Sequence, residues 1–144
     1  MTKRIFYLSA LLLALWILVL CGLQLWQDML YYRMMNEPSA TNWPRYEQLN
    51  EWWQKLSPLG PYMAMGAAVM GVTASLRDHS MVRRGRRLLA GMMVGHIGLI
   101  AALYAVSSMH VDLATLLIGF IDCWSAAALV GLPIFGICRL TGNL

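Results

Sequence analysis

The sequence predicts an all-α protein that crosses a membrane four times, and three observations predict it. Of the 144 residues, 59% are hydrophobic and only 12% are charged, whereas soluble domains average about a quarter charged. The apolar residues gather in four long runs, and most of the basic residues lie between or beside those runs. Because so many apolar side chains cannot be buried in a water-soluble domain of this size, the surrounding solvent is lipid.

The four apolar runs define one membrane domain, 1–144, with transmembrane helices predicted at 5–26, 61–76, 88–108 and 113–138. The first run carries no charged residue, and its length spans a hydrocarbon core of about 30 Å. It also resembles a secretory signal peptide, but no A-x-A cleavage pattern follows, so an uncleaved helix is favoured. The second run reaches only about 24 Å, and the positions of the charges support its assignment.

The distribution of basic residues predicts the orientation. If all four runs cross, most of the arginines and lysines share one side, which the positive-inside bias places in the cytoplasm together with both termini. The short basic loop between the second and third helices, 77–87, sets this topology and attracts anionic lipid headgroups. Its arginines are Arg77, Arg83, Arg84, Arg86 and Arg87.

The outer loop, 27–60, is predicted to contain a short amphipathic helix. Tyr46, Leu49, Trp53 and Leu56 follow helical spacing and share one face. Aromatic residues such as Trp52 also collect in this loop, as they do at membrane interfaces. We expect the helix to lie on the outer leaflet, where it either caps the helix bundle or docks a partner.

Asp122 is the feature that composition does not explain. It lies in the apolar fourth helix, about 14 Å below the outer boundary, where a charged carboxylate costs about 2.5 kcal/mol or more. Counted from a turn at His110, His96 on the third helix lies at nearly the same depth, so the two form a predicted intramembrane polar pair. The pair is either a structural hydrogen bond or a site that handles protons or ions.

Small residues recur at helical spacing on three of the predicted helices. Such stripes let helix backbones approach closely in lipid, where packing drives association. We therefore expect these faces to be the helix-packing surfaces. They comprise Ala67, Gly71 and Ser75 on the second helix, Gly91, Gly95 and Gly98 on the third, and Gly119, Cys123, Ala127 and Gly131 on the fourth.

Motifs for chemistry are not apparent in the sequence. The three cysteines form no CxxC, no metal-ligand spacing occurs, and nothing resembles a P-loop, a HExxH or a nucleophile elbow. We therefore predict no catalytic site, metal or cofactor. The net charge of +4 does not indicate nucleic-acid binding, because the basic residues of the chain flank the apolar runs.

The layout resembles that of the immunity proteins that protect bacteria from pore-forming bacteriocins, which are also small multi-helix inner-membrane proteins. The resemblance covers the topology and no sequence motif. We expect a non-catalytic protein of the bacterial inner membrane that binds lipids and either another integral membrane protein or a second copy of itself. Its partner would be a toxin or an envelope assembly such as a secretion or conjugation machine. The alternative is a small homo-oligomeric transporter or channel in which Asp122 and His96 handle a proton or cation.

Overall fold

The computed structural model describes residues 2–37, 43–107 and 113–141, and this part of the chain is almost entirely helical, with no strand. The predicted all-α fold is confirmed. Five helices follow one another: α1 Thr2–Asn36, α2 Trp43–Leu56, α3 Leu59–Arg77, α4 Ser80–Val106 and α5 Leu113–Leu140.

Four helical segments are long and apolar enough to cross a membrane, as predicted for a multi-pass membrane protein. The helices extend beyond most of the predicted bounds, because hydropathy marks where charge begins and not where a helix ends. The predicted basic loop at 77–87 is therefore mostly helical. Helix α3 ends at Arg77 and α4 begins at Ser80, so the arginines of this region lie in the last turn of α3 and the first turns of α4.

Helix α3 lies at the centre of the bundle. It packs against α1, α4 and α5, whereas no Cα atom of α1 comes within 8 Å of α5 in the described part of the chain. Its small side chains explain this position, since Ala64, Ala67 and Ala74 are fully buried and allow neighbouring helices to approach closely.

One end of the bundle is held by contacts between α1 and the connection from α3 to α4. Lys3 forms an ion pair with Asp78 at the end of α3. The ring of Phe6 is fully buried and lies 3.2 Å from where a Cβ on Gly71 would stand. Glycine at this position therefore makes room for the ring. These contacts place the start of α1, the end of α3 and the start of α4 at the same end.

Helix α2 runs alongside α1, antiparallel to it. The Tyr31 and Tyr46 rings lie 6.1 Å apart near one end of α2, and at the other end Trp16 Nε1 donates a hydrogen bond of 2.8 Å to the Leu56 carbonyl. Trp16 and Tyr31 are about 22 Å apart along α1. A helix lying flat across the end of the bundle would not reach both, so α2 lies along α1. Its expected place on the outer leaflet stays a prediction.

Helices α2 and α3 form one segment that is broken at Ser57 and Pro58. Pro58 supplies no N–H, and the Gly60 N–H turns back to the Ser57 carbonyl at 3.3 Å. The Leu56 carbonyl, left without its helical donor, accepts the Trp16 indole instead. A Cβ on Gly60 would overlap the Trp16 ring. The ring of Trp16 thus lies directly on the glycine backbone at the break.

Candidate functional site

His96 lies inside the bundle, in contact with aromatic side chains of α5. Only 7% of His96 is exposed, and its Nδ1 accepts a hydrogen bond of 3.2 Å from Trp124 Nε1. The ring of Phe120 meets the imidazole edge-on, at 5.2 Å between ring centroids. Because Nδ1 accepts this bond with its lone pair, the ring proton of the neutral imidazole resides on Nε2.

The structure brings His96 to the depth on α5 that the sequence predicts, but to a different side chain. Among the hydrogen bonds and ion pairs of the described residues, none joins His96 to Asp122. Phe120 and Trp124 are four residues apart and share a helix face, whereas Asp122 lies between them, about 160° around the helix. The rotation of α5 that gives His96 its two aromatic neighbours turns the carboxylate away from it.

His96 and Asp122 nevertheless line one cavity of about 310 Å³. It lies beside the break between α2 and α3, with Ser57 and Pro58 in its wall and Trp16 of α1 on another side. Residues of all five helices line the cavity, at the point where the α2–α3 segment is interrupted.

Asp122 is exposed and lies on the outward face of α5. Ile118 and Leu129, four residues before and seven after it, are 58% and 74% exposed. Cys123, the next residue, is fully buried, and its Sγ lies 3.7 Å from the Gly60 carbonyl oxygen. A carboxylate on the outward face of an apolar helix needs a proton, water or a partner outside this chain.

Two of the three predicted small-residue stripes pack inside the protein. On α3, Ala67, Gly71 and Ser75 are buried, and Ser75 Oγ donates a hydrogen bond of 2.8 Å to the Gly71 carbonyl. On α5, Cys123 and Ala127 are buried, and a Cβ on Gly131 would lie 3.2 Å from Ala68 Cβ. Gly119 differs from these, since it is exposed and a Cβ there would meet nothing within 4 Å.

The third stripe, on α4, faces outward. Gly91, Gly95 and Gly98 are all exposed, and a Cβ added to any of them would meet no atom within 4 Å. The sequence pattern on α4 is the same as on its neighbours, yet no other helix of the described chain packs against these glycines.

The remaining predicted residues lie on the outer parts of the bundle. On α2, Leu49 is buried and Tyr46, Trp53 and Leu56 are partly buried, so the predicted apolar face is the one that packs inward. Trp52 is exposed and lies under the Lys55 ammonium. The five predicted arginines are all exposed: Arg77, Arg83, Arg84, Arg86 and Arg87.

The described residues contain no group of three His, Cys, Asp or Glu side chains that could hold a metal ion. The three cysteines are free thiols, and Cys21 and Cys123 are buried.

Sequence reasoning missed the aromatic residues that build this region, Trp16 and Trp124. Both lie in apolar runs, where a tryptophan is expected without a specific role. The helix break had a visible signal, because Pro58 and Pro61 stand three residues apart in "SPLGP". Comparison of the chain with protein-family models, with curated proteins and with solved structures gives no match.

Proposed function

We propose that this protein is a non-catalytic protein of the bacterial inner membrane that acts by binding another integral membrane protein. The observation that carries the proposal is the outward glycine stripe of α4. A helix that presents only glycine on one stripe offers another transmembrane helix a surface for close approach.

The contrast between the stripes supports this proposal. Gly71 and Gly131 each have a close neighbour inside the chain, Phe6 and Ala68 respectively. Gly91, Gly95 and Gly98 of α4 have none, although glycine in a helix interior costs about 1 kcal/mol relative to alanine. Close packing against a helix from another chain would offset that cost.

Asp122 gives independent support from α5. Its carboxylate is exposed, and on this apolar helix only Cys123 and Ala127 are buried inside the described chain. A basic or hydrogen-bonding side chain on a partner helix would satisfy it, and intramembrane ionisable residues are commonly paired in this way.

The proposed orientation has the arginine-rich end of α4 and both termini in the cytoplasm. Lys3 and Asp78 are in contact at that end, which is consistent with α1 and α4 having their basic residues on the same side. The partner class includes an envelope assembly and a membrane-active toxin. The amphipathic helix α2 would then lie towards the outer side.

Site-specific photocrosslinking in membranes of the native host tests the proposal. A benzophenone amino acid at position 95 of the full chain, in place of Gly95, is expected to give one defined protein adduct. The matched control is position 22 on α1, since Gly22 is also exposed with no atom near an added Cβ.

An adduct at position 95 of twice the mass of the chain identifies a second copy as the partner, and a different mass identifies another protein. No protein adduct at position 95, or equal adducts at both positions, would contradict binding through the α4 stripe.

Proton or cation transport is a second candidate function, favoured by the cavity that His96 and Asp122 share at the helix break. Breaks in transmembrane helices frequently border ion sites. Flux by the purified protein in liposomes that is abolished by Asp122→Asn and retained by Ser125→Ala, on the same helix face, would establish it. An absence of wild-type flux, or flux unchanged by Asp122→Asn, would remove it.

A further inference from the structure

A second and larger cavity, of about 560 Å³, lies between α3, α4 and α5 towards the arginine-rich end of α4. We call it the arginine-end crevice. Small residues of all three helices leave the space open, among them Ala68, Gly85 and Ala128. Leu132, which also lines the crevice, is 69% exposed, so the crevice continues onto the outer surface of the bundle.

In a bilayer crossed by these helices, the crevice would open towards lipid and would be filled from there. Its walls are predominantly apolar, with Val72, Leu89 and Phe135 among them. Ser75 Oγ, a polar atom of this wall, is already bonded to the Gly71 carbonyl. Water would find too few hydrogen-bonding partners here, and an empty space would forfeit dispersion contacts along all three helices. A hydrocarbon chain satisfies both conditions.

Arg86 gives the crevice a charge. It lies in the first turns of α4, lines the crevice and is exposed. No acidic side chain is among the residues that line the crevice. In the described part of the chain no ion pair engages Arg86, and Asp78, the acid that precedes α4, is paired with Lys3. A guanidinium presents N–H donors in a geometry that matches a phosphate group.

We propose that the arginine-end crevice binds one anionic phospholipid, with an acyl chain between α4 and α5 and its phosphate on Arg86. The site is distinct from the α4 glycine stripe, and the inference does not depend on the partner-binding proposal. The lipid would fill the gap between two helices of this chain and so act as a structural ligand of the fold.

Native mass spectrometry of the full-length protein in mild detergent tests this inference. The protein is titrated with dioleoylphosphatidylglycerol and, separately, with dioleoylphosphatidylcholine. We expect one phosphatidylglycerol to bind about tenfold more tightly than phosphatidylcholine. Both lipids carry a phosphate that accepts from a guanidinium, but the choline cation of phosphatidylcholine offsets that negative charge, whereas phosphatidylglycerol keeps a net negative charge for Arg86. Arg86→Gln is expected to abolish that preference.

Arg84→Gln is the matched control. It removes the same charge from the same helix, but Arg84 does not line the crevice and lies about 160° from Arg86 around α4. An equal loss of preference in the two variants would indicate a general attraction to basic charge and would overturn the proposed site.

A second pair of variants tests the apolar part of the crevice. Ala128→Phe adds a ring at the wall and is expected to weaken binding of both lipids, whereas Ala102→Phe, at an exposed position of α4 outside the crevice, is expected to leave it unchanged. If Ala128→Phe leaves lipid binding unchanged, the proposed site is wrong. It is also wrong if the wild-type protein carries a bound polypeptide in place of lipid and Ala128→Phe displaces that polypeptide. If Ala128→Phe fails to fold, the arginine pair decides.

Discussion

The Nε1 of Trp124 donates a hydrogen bond of 3.2 Å to the Nδ1 of His96, and this contact joins α4 to α5 within the bundle. It satisfies a buried imidazole nitrogen with an indole that has no acceptor function of its own. The pair accounts for a histidine in an apolar helix without assigning it an ion-handling role.

Trp124→Phe is expected to lower the free energy of unfolding by about 1 kcal/mol, since hydrogen bonds between transmembrane helices contribute about 0.6–2 kcal/mol. Phenylalanine retains an aromatic ring but leaves His96 Nδ1 without its donor. Unfolding of the full chain in mixed micelles measures the change. Trp52→Phe, at an exposed position of α2, is the control, and equal effects of the two substitutions would contradict a structural role for the hydrogen bond.

Gly60→Ala is expected to destabilise the protein by about 1–3 kcal/mol, because its methyl group would overlap the Trp16 ring in a packed region. Gly66→Ala on the same helix is the matched control. A Cβ there meets nothing within 4 Å, and alanine is the better helix former, so stability should rise by about 0.5–1 kcal/mol. The two changes have opposite expected signs in the same unfolding assay. A gain in stability from Gly60→Ala, like that expected of Gly66→Ala, would show that Trp16 does not constrain Gly60.

Asp122→Asn is expected to leave the stability of the isolated protein within about 0.5 kcal/mol of wild type, since the side chain is exposed and has no ion-pair partner in the described chain. Its buried neighbour provides the contrast. Cys123→Leu should destabilise the protein by about 1–3 kcal/mol through overpacking against α3. Unfolding in detergent compares the two. A large loss from Asp122→Asn would place that carboxylate in an internal contact.

Acid is expected to weaken the contact between α1 and the α3–α4 connection. Hydrogen bonds from Lys3 and then from Ser80 lower the pKa of Asp78 to about 2, below the value of about 3.9 in an unfolded chain. A depressed folded-state pKa stabilises the protein above about pH 4, and this contribution is lost as the pH falls towards about 2.

Unfolding followed between pH 5 and pH 2 measures this dependence. Asp78→Asn should remove the part of the acid-induced loss that Asp78 causes, whereas Glu51→Gln, which changes an exposed carboxylate on α2, should preserve it. An identical pH dependence in wild type and Asp78→Asn would contradict the role of the Lys3–Asp78 contact.

Some site geometry could be anticipated from the sequence. Counting residues from the turn predicted at His110, which lies outside the described residues, predicts that His96 meets α5 at the depth of Asp122. The observed contact, Trp124, lies less than one turn away. Depth follows from the rise per residue, which is fixed by helix geometry. Rotation of α5 about its axis leaves the depth of each residue unchanged. It is this rotation that makes Trp124, and not Asp122, the neighbour of His96.

The sequence by itself determined that the chain is all-helical and where its apolar helices lie, because hydrophobicity and helix propensity are properties of each segment alone. Only the tertiary structure decided which face each helix turns inward: Gly91, Gly95 and Gly98 of α4 face outward, Gly60 and Gly71 of α3 and Gly131 of α5 pack inside, and α2 lies along α1. Those orientations depend on how side chains of different helices fit together, as Trp16 does on Gly60. No single segment carries that information.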